Sequence, residues 1–208
     1  MERGIALGAE FVEVDLQRTR DGRIVLMHDK CIDRTTNGHG RLTDLSWDEL
    51  SGLDAGAGEH IPLLEEALAT ASGRTGLVLE CITPELGPDI WRMVARFGFR
   101  GPVLFASFLH REIRAIRQLD PHAMTMALLE GVPVMPAAFA LEAGSSHAGL
   151  ALDSTTPQMV SALHQARLQV FVYTADSAQQ IDLAMQLGID GIISNFPDRL
   201  PKPASEGK

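Results

Sequence analysis

The sequence predicts a parallel α/β fold, a (β/α)8 barrel that is short of one strand. From residue 77 onward, short apolar runs alternate with helical patterns at regular spacing, the rhythm of strands joined by crossover helices. The runs are nearly continuous in apolar residues, as strands buried on both faces require. The length of 208 residues suits one fold of this kind and leaves little chain for a second.

Taken in order, residues 1–8 read as the last turns of an amphipathic helix that stops at Gly8. Such a helix would follow a strand lying before residue 1, so the barrel is expected without its first strand and part of its first helix. The first strand present is residues 11–15. Residues 24–29, Ile-Val-Leu-Met-His-Asp, are read as an extra strand. The polar, glycine-rich run from Asp33 to Gly40 is a loop. Ser46, with Glu49 three residues on, is the capping-box signature of a helix start. Residues 24–60 together are expected as a small insertion over one mouth of the barrel. Beyond it the strands are 77–82, 103–107, 125–129, 149–153, 169–174 and 191–194. Apolar residues at i, i+3, i+4 spacing place helices at 111–119, 156–166 and 178–187. Residues 1–200 are read as a single domain and 201–208 as a disordered tail.

Composition narrows the partners. With 27 acidic against 18 basic residues, the formal charge of −9 argues against nucleic acid, whose binding relies on clustered Lys and Arg. Apolar runs such as 132–141 are interrupted by proline and fall well short of the roughly 18 residues a spanning helix needs. Cys31 and Cys81 offer no framework of bridges and suit a reducing, cytoplasmic setting. Each is expected as a small buried hydrophobe. Histidines other than His28 are assigned surface or capping roles, and Met124, Met126, Met135, Met159 and Met185 core filling.

The chemistry is concentrated near the start. On a strand, side chains alternate between faces, so Glu13 and Asp15 project to one side while Val12 and Val14 take the other. Facing water, the pair needs no explanation. Facing inward, two carboxylates a few ångströms apart repel unless a divalent cation lies between them. His28 follows at the end of the extra strand and titrates near neutral pH, as a proton shuttle must.

These residues sit in motifs that resemble glycerophosphodiester phosphodiesterases over essentially the whole chain. The resemblance runs through Gly8-Ala9-Glu10-Phe11-Val12-Glu13-Val14-Asp15, Thr19-Arg20-Asp21-Gly22, His28-Asp29 and Asp33-Arg34-Thr35-Thr36-Asn37-Gly38-His39-Gly40. It continues in Ile61-Pro62-Leu63-Leu64-Glu65, Ala106-Ser107-Phe108, Val172-Tyr173-Thr174-Ala175-Asp176 and Gly188-Ile189-Asp190-Gly191-Ile192-Ile193-Ser194-Asn195. It implies a TIM (β/α)8 barrel hydrolase that cleaves small glycerophosphodiesters, such as glycerophosphocholine, to glycerol 3-phosphate and an alcohol. It further implies Glu13, Asp15 and Glu80 as ligands of Mg2+ or Ca2+ and His28 as one of two catalytic histidines; Tyr173 reads as a substrate contact lining the glycerol pocket or as a buried barrel aromatic, and Arg34 as a substrate contact or as a residue that fixes its loop. In this family the substrate's own glycerol hydroxyl is thought to attack, giving a cyclic phosphate that water opens.

Two departures from the family pattern carry expectations of their own. The family's His-Arg-Gly and Glu-Asn-Thr motifs would lie before Met1. Where relatives have Glu-x-Lys, this chain has Glu80-Cys81-Ile82, so an aliphatic group stands where a lysine would meet phosphate. The alternative reading is therefore a member with little activity that binds metal or glycerol phosphates. A related phosphodiesterase with a different substrate, of the phospholipase D type, fits the loop and closing motifs less well. Open barrel edges are expected to promote oligomerisation.

Overall fold

Val12, Val14 and Leu16 alternate with Phe11, Glu13 and Asp15 along one strand, and this alternation sets the architecture. The first set packs outward against helices, and Phe11 packs into the interior of the sheet. The computed structural model describes residues 1–201. The expected tail therefore falls outside the described residues except for Pro201. A short helix α1 (Glu2–Ala6) leads into β1 (Phe11–Arg18), β2 (Ile24–Leu26), α2 (Trp47–Leu50) and α3 (Leu64–Ala71). Then follow β3 (Gly76–Cys81), α4 (Gly87–Phe97), β4 (Val103–Ser107), α5 (His110–Leu119), β5 (Met124–Leu129) and α6 (Ala138–Ala143). The chain ends with β6 (His147–Ala151), α7 (Pro157–Gln165), β7 (Gln169–Tyr173), α8 (Ala178–Gln186) and β8 (Gly191–Ile192).

The strand order is β2-β1-β3-β4-β5-β6-β7-β8. β2 is an antiparallel hairpin arm, and the seven other strands are parallel neighbours in chain order. Phe11 on β1 and Ile193 beyond β8 stand at opposite ends of that order, yet both pack on one interior cluster of Val78, Leu104, Ala106, Met126 and Leu128. The sheet must therefore curl as a barrel does. Gly191 makes room for this interior, since a Cβ there would lie 2.8 Å from the Phe171 ring. Helices cover the outer face in two larger clusters, around Leu16, Leu68 and Ile90 on one side and Leu150, Leu163 and Val170 on the other.

The expected strands and the capping box at Ser46 and Glu49 are present, with several differences that have physical causes. The extra strand stops at Leu26 because the next three carbonyls turn toward Gln17. β6 ends at Ala151, whose carbonyl accepts from the hydroxyls of Ser154 and Thr155 and starts a tight turn. The hairpin arm pairs residues 24–26 with 16–18, the last three of the eight residues of β1, and leaves the edge of the expected strand 11–15 uncovered. Among the described residues, 11–15 pair on the β3 side alone.

Helix α4 was not singled out by spacing. Its start is held by Glu112 of α5, a buried carboxylate that accepts the backbone N–H groups of Glu85, Leu86 and Gly87 at 2.8, 3.1 and 2.9 Å. Cys31 is exposed rather than buried, because it lies in the loop beyond the hairpin, whereas Cys81 is buried on β3. His147 is inside the barrel against Phe171, not at the surface. Met126 and Met159 fill the core, but Met135 and Met185 face outward.

The segment between β2 and α3 has its own small core of Val25, Met27, Ile32, Leu42, Leu50 and Ile61. Its polar motif is mostly self-bracing. Asp33 accepts the N–H of Gly40, the Thr36 hydroxyl donates to the Ile32 carbonyl, and Asn37 exchanges hydrogen bonds with the backbone of Asp54. Gly38 is required by close approach, since a Cβ would stand 2.6 Å from Leu53. A loop tied this tightly can carry side chains at fixed positions.

Candidate functional site

Register brings the carboxylates together. Asp15 of β1 lies beside Glu80 of β3, and Glu13, two residues earlier, shares the face of Asp15. One oxygen from each of the three lies within 4.8 Å of the others. Burial first, and then the negative charges of Asp15 and Glu80, push the Glu13 carboxyl up to about 8. Burial, and then Asp15, push Glu80 up to about 7. Asp15 is also raised by burial, with His28 pulling the other way. Three such groups cannot all be ionised at neutral pH without a counter-charge. Glu13 Oε1 is moreover buried with no hydrogen-bond partner. An orphaned buried oxygen beside two other carboxylates is what a hard, oxygen-preferring cation satisfies, so the donor set fits a divalent metal ion.

His28 comes from the other side, on the segment that leaves β2. Buried Gln17 of β1 pins this segment by donating to the carbonyls of Met27 and Asp29, both at 2.8 Å, and more weakly to that of His28 at 3.4 Å. The His28 ring is 76% exposed, and its Nδ1 lies 2.8 Å from Asp29 Oδ1. The Arg34 guanidinium grips the same carboxylate twice, Nε to Oδ2 at 2.5 Å and Nη2 to Oδ1 at 3.0 Å. Hydrogen bonding from Arg34 first, and from His28 next, holds Asp29 far below the usual carboxylate range. The hydrogen bond to Asp29 in turn raises His28, burial opposes, and the charges of Asp15, Asp29 and Glu80 add to the rise.

Asp15, His28, Asp29 and Arg34 line one cleft of about 280 Å3, with Ala55 of the insertion and Ile61 and Pro62 just beyond it forming its apolar wall. A larger groove of about 450 Å3, between the β1–β2 turn and α4, contains none of these residues. Tyr173 does not line the cleft. It packs in the barrel interior, its hydroxyl donating to the Leu129 carbonyl at 3.1 Å and its ring edge-on to Phe108 at 5.9 Å between centroids. Ile82 lies just past the end of β3, its N–H on the Leu16 carbonyl. The structure thus unites Glu13, Asp15 and Glu80, sets His28 and Arg34 on the rim beside them, and leaves Tyr173 outside the cleft, at the end of β7 and near enough to Glu80 to feel its charge.

Sequence reasoning missed two residues. Gln17 continues the parity of Glu13 and Asp15 and could have been read from it. Asp29 was quoted only as the partner of a motif, yet it is the junction between His28 and Arg34. Near the closing motif, Asp176 accepts from Ser194 and from both nitrogens of Asn195, tying the end of β7 to the end of β8.

Residues 1–199 match the Glycerophosphoryl diester phosphodiesterase family. The chain is similar to a glycerophosphodiester phosphodiesterase of Bacillus altitudinis, 31% identical over 100% of this chain and 91% of that protein. A glycerophosphodiester phosphodiesterase of Caldanaerobacter subterraneus subsp. tengcongensis is 30% identical over 96% of this chain and 87% of its own. Among solved structures, the Oleispira antarctica phosphodiesterase in complex with the product sn-glycerol-3-phosphate superposes with a TM-score of 0.87. It is 24% identical, covering 95% of this chain and 86% of that one.

Proposed function

The chain belongs to the glycerophosphoryl diester phosphodiesterase family, and on that premise we propose that it hydrolyses small glycerophosphodiesters such as glycerophosphocholine. The products are glycerol 3-phosphate and an alcohol. The single observation that carries this reading to the residues is the trio Glu13, Asp15 and Glu80 converging beside His28. Glu13, Asp15 and Glu80 would hold a Mg2+ or Ca2+ ion, which would supply positive charge to neutralise the phosphate and orient the ester.

The chain's own groups then do the following. Arg34, 69% exposed and lining the cleft, has guanidinium N–H groups beyond those bound to Asp29 with which to meet the substrate anion. His28 moves the proton: when the P–O bond to the alcohol breaks, the departing oxygen takes a proton from the imidazole, and the imidazole recovers one from the hydroxyl or water that attacks phosphorus. The net reaction adds one water across one P–O bond. Tyr173 and Phe108, packed edge-on to each other outside the His28 cleft, would meet the glycerol end only where the substrate extends past Glu80 into the barrel mouth. Ala55, Ile61 and Pro62 exclude water from one side of the cleft.

Residues 1–200 act as one domain, with the insertion at 24–60 supplying His28 and Arg34. Two unpaired thiols support a cytoplasmic setting. Among the described residues no helix is long and apolar enough to cross a membrane. Oligomerisation through the free edges of β1 and β8 is part of the same proposal. One observation favours a second reading, a protein that binds metal or glycerol phosphates with little turnover: Ile82 puts no positive charge beside Glu80. The deciding experiment is release of sn-glycerol 3-phosphate from glycerophosphocholine with Mg2+ or Ca2+, with His28→Ala and chelator as controls. Turnover that needs both His28 and metal supports hydrolysis. Metal binding with no turnover supports the second reading.

A further inference from the structure

We propose that Asp29 is the positioning residue for His28: its carboxylate holds the Nδ1 side of the ring, so that Nε2 is the atom presented to the substrate, and Arg34 clamps both oxygens of the same carboxylate. The inference deepens the hydrolase reading and rests on it for the word substrate, but its geometry stands alone. Nδ1 to Oδ1 is 2.8 Å, and the guanidinium fork closes on both oxygens at 2.5 and 3.0 Å. A carboxylate accepts and cannot donate, so the Nδ1 facing it carries the hydrogen and the lone pair of the neutral ring is fixed on Nε2.

The clamp has a second use. Two side chains one residue apart rarely stay hydrogen-bonded when one of them is exposed, because rotamer freedom competes. Here Asp29 is 22% exposed against 76% for His28, and it is immobilised from behind by an arginine on the short turn Ile32–Arg34. Gln17 fixes the backbone of the same pair from the sheet side. His28 is thus oriented through a chain that begins in the rigid β1 strand and the braced insertion loop, although its own ring is open to solvent.

The charged groups that face His28 are Asp29 on its own segment, Asp15 on β1 and Glu80 on β3, with Arg34 behind Asp29. Their signs make the proposal testable. Asp29→Asn keeps an acceptor of the same shape but removes the negative charge, so His28 is expected to titrate at lower pH. Arg34→Met removes a positive charge and leaves Asp29 to His28 alone, so titration is expected to move to higher pH. Arg34→Lys, which keeps the charge, is expected to remain closer to the parent. The measurement is NMR of the His28 ring across pH in the full chain without metal, read beside kcat and KM for glycerophosphocholine with Mg2+.

In turnover, Asp29→Asn is expected to lower kcat roughly 10- to 100-fold with KM nearly unchanged, as for other groups that orient a working histidine. Asp29→Ala is expected to be worse than Asn, because the acceptor itself is lost. The acid limb of the pH–rate profile is expected to follow the NMR shift. An unmoved His28 titration in Asp29→Asn, or shifts of the same sign in Asp29→Asn and Arg34→Met, would overturn the proposal. Should the parent chain be inactive on glycerophosphocholine, the hydrolase reading fails while the NMR experiment still decides the role of Asp29.

Discussion

The two halves of the candidate site solve opposite electrostatic problems. On the strands, Glu13, Asp15 and Glu80 are three acids that form no ion pair among the described residues, with only His28 nearby to oppose their repulsion, pressed together by β-sheet register and raised toward neutrality. In the loop, Asp29 sits between Arg34 and His28 and every charge has its opposite within hydrogen-bonding distance. The strand half is rigid and internally strained by charge. The loop half is exposed and internally satisfied. A rigid frame can hold an unfavourable arrangement ready for a ligand, whereas a loop keeps its shape only if its own side chains agree.

The largest expected effect comes from removing one of the strand acids. Asp15→Asn is expected to lower kcat/KM by about 10^3-fold, the scale of several kcal/mol that a bound cation supplies. The same change is expected to raise the melting temperature of the metal-free chain at pH 8, because repulsion is relieved. The loop acid behaves oppositely: Asp29→Asn removes a satisfied charge and is expected to stabilise nothing. Parallel melts and turnover assays of the two variants check this directly. An Asp15→Asn chain less stable than its parent without metal would erase the contrast.

Next in size is the pH dependence of stability without metal. Glu13 is moved from an ordinary 4.5 to about 8 and Glu80 to about 7. A carboxyl whose folded value is raised binds its proton more tightly when folded. Its contribution is therefore whole below about pH 4.5 and drains away as pH climbs through about 8. Discounted for the partial solvent access of both groups, the loss is on the order of a few kcal/mol. Thermal melts from pH 5 to 9 in chelator are expected to fall steadily, and saturating Mg2+ or Ca2+ is expected to flatten the curve. A flat curve in chelator would mean that the acids are ionised and solvated.

A smaller effect is expected where the two halves join. Gln17 lies on the strand and spends its amide on the loop carbonyls of Met27 and Asp29. Gln17→Leu leaves buried acceptors without a donor, at a cost of about 1–3 kcal/mol. It is expected to lower kcat by loosening His28 while leaving metal affinity intact, since the trio depends on strand register alone. Denaturant unfolding and a Mg2+ titration separate the two outcomes.

The same division explains what could be read in the sequence. Strand parity made Glu13 and Asp15 legible, because a period of two is all that is needed to put them on one face. The barrel rhythm was legible for the same local reason. The hairpin arm was overextended because a buried Gln17 competing for carbonyls leaves no trace in hydrophobic periodicity. Cys31 was misplaced because the insertion has a core of its own, with a pattern independent of the barrel. Arg34 was legible as an arginine near the site, but its partner was hidden in a loop contact. Helix α4 was obscured because the acid that holds its start, Glu112, belongs to α5 and lies 25 residues away from Gly87.

The smallest expected effect tests whether the strand half can be made to resemble the loop half. Ile82 follows Glu80 by two residues, at the position where the family pattern has lysine, and among the described residues no Lys or Arg pairs with the trio. Ile82→Lys would bring one positive charge to the three acids. Without metal, the pH dependence of stability is expected to weaken, because Glu80 would ionise against a partner. With metal and substrate, one added charge-assisted contact to phosphate is worth about 1.5–3 kcal/mol at most. Part of that is offset by competition between the ammonium and the cation for the same oxygens, so a gain of about tenfold in kcat/KM is expected. A flatter melt profile without a gain in turnover would place the lysine on the carboxylates rather than on the substrate. A gain in turnover with the melt profile unchanged would place it on phosphate alone, leaving the strand acids dependent on their cation as before.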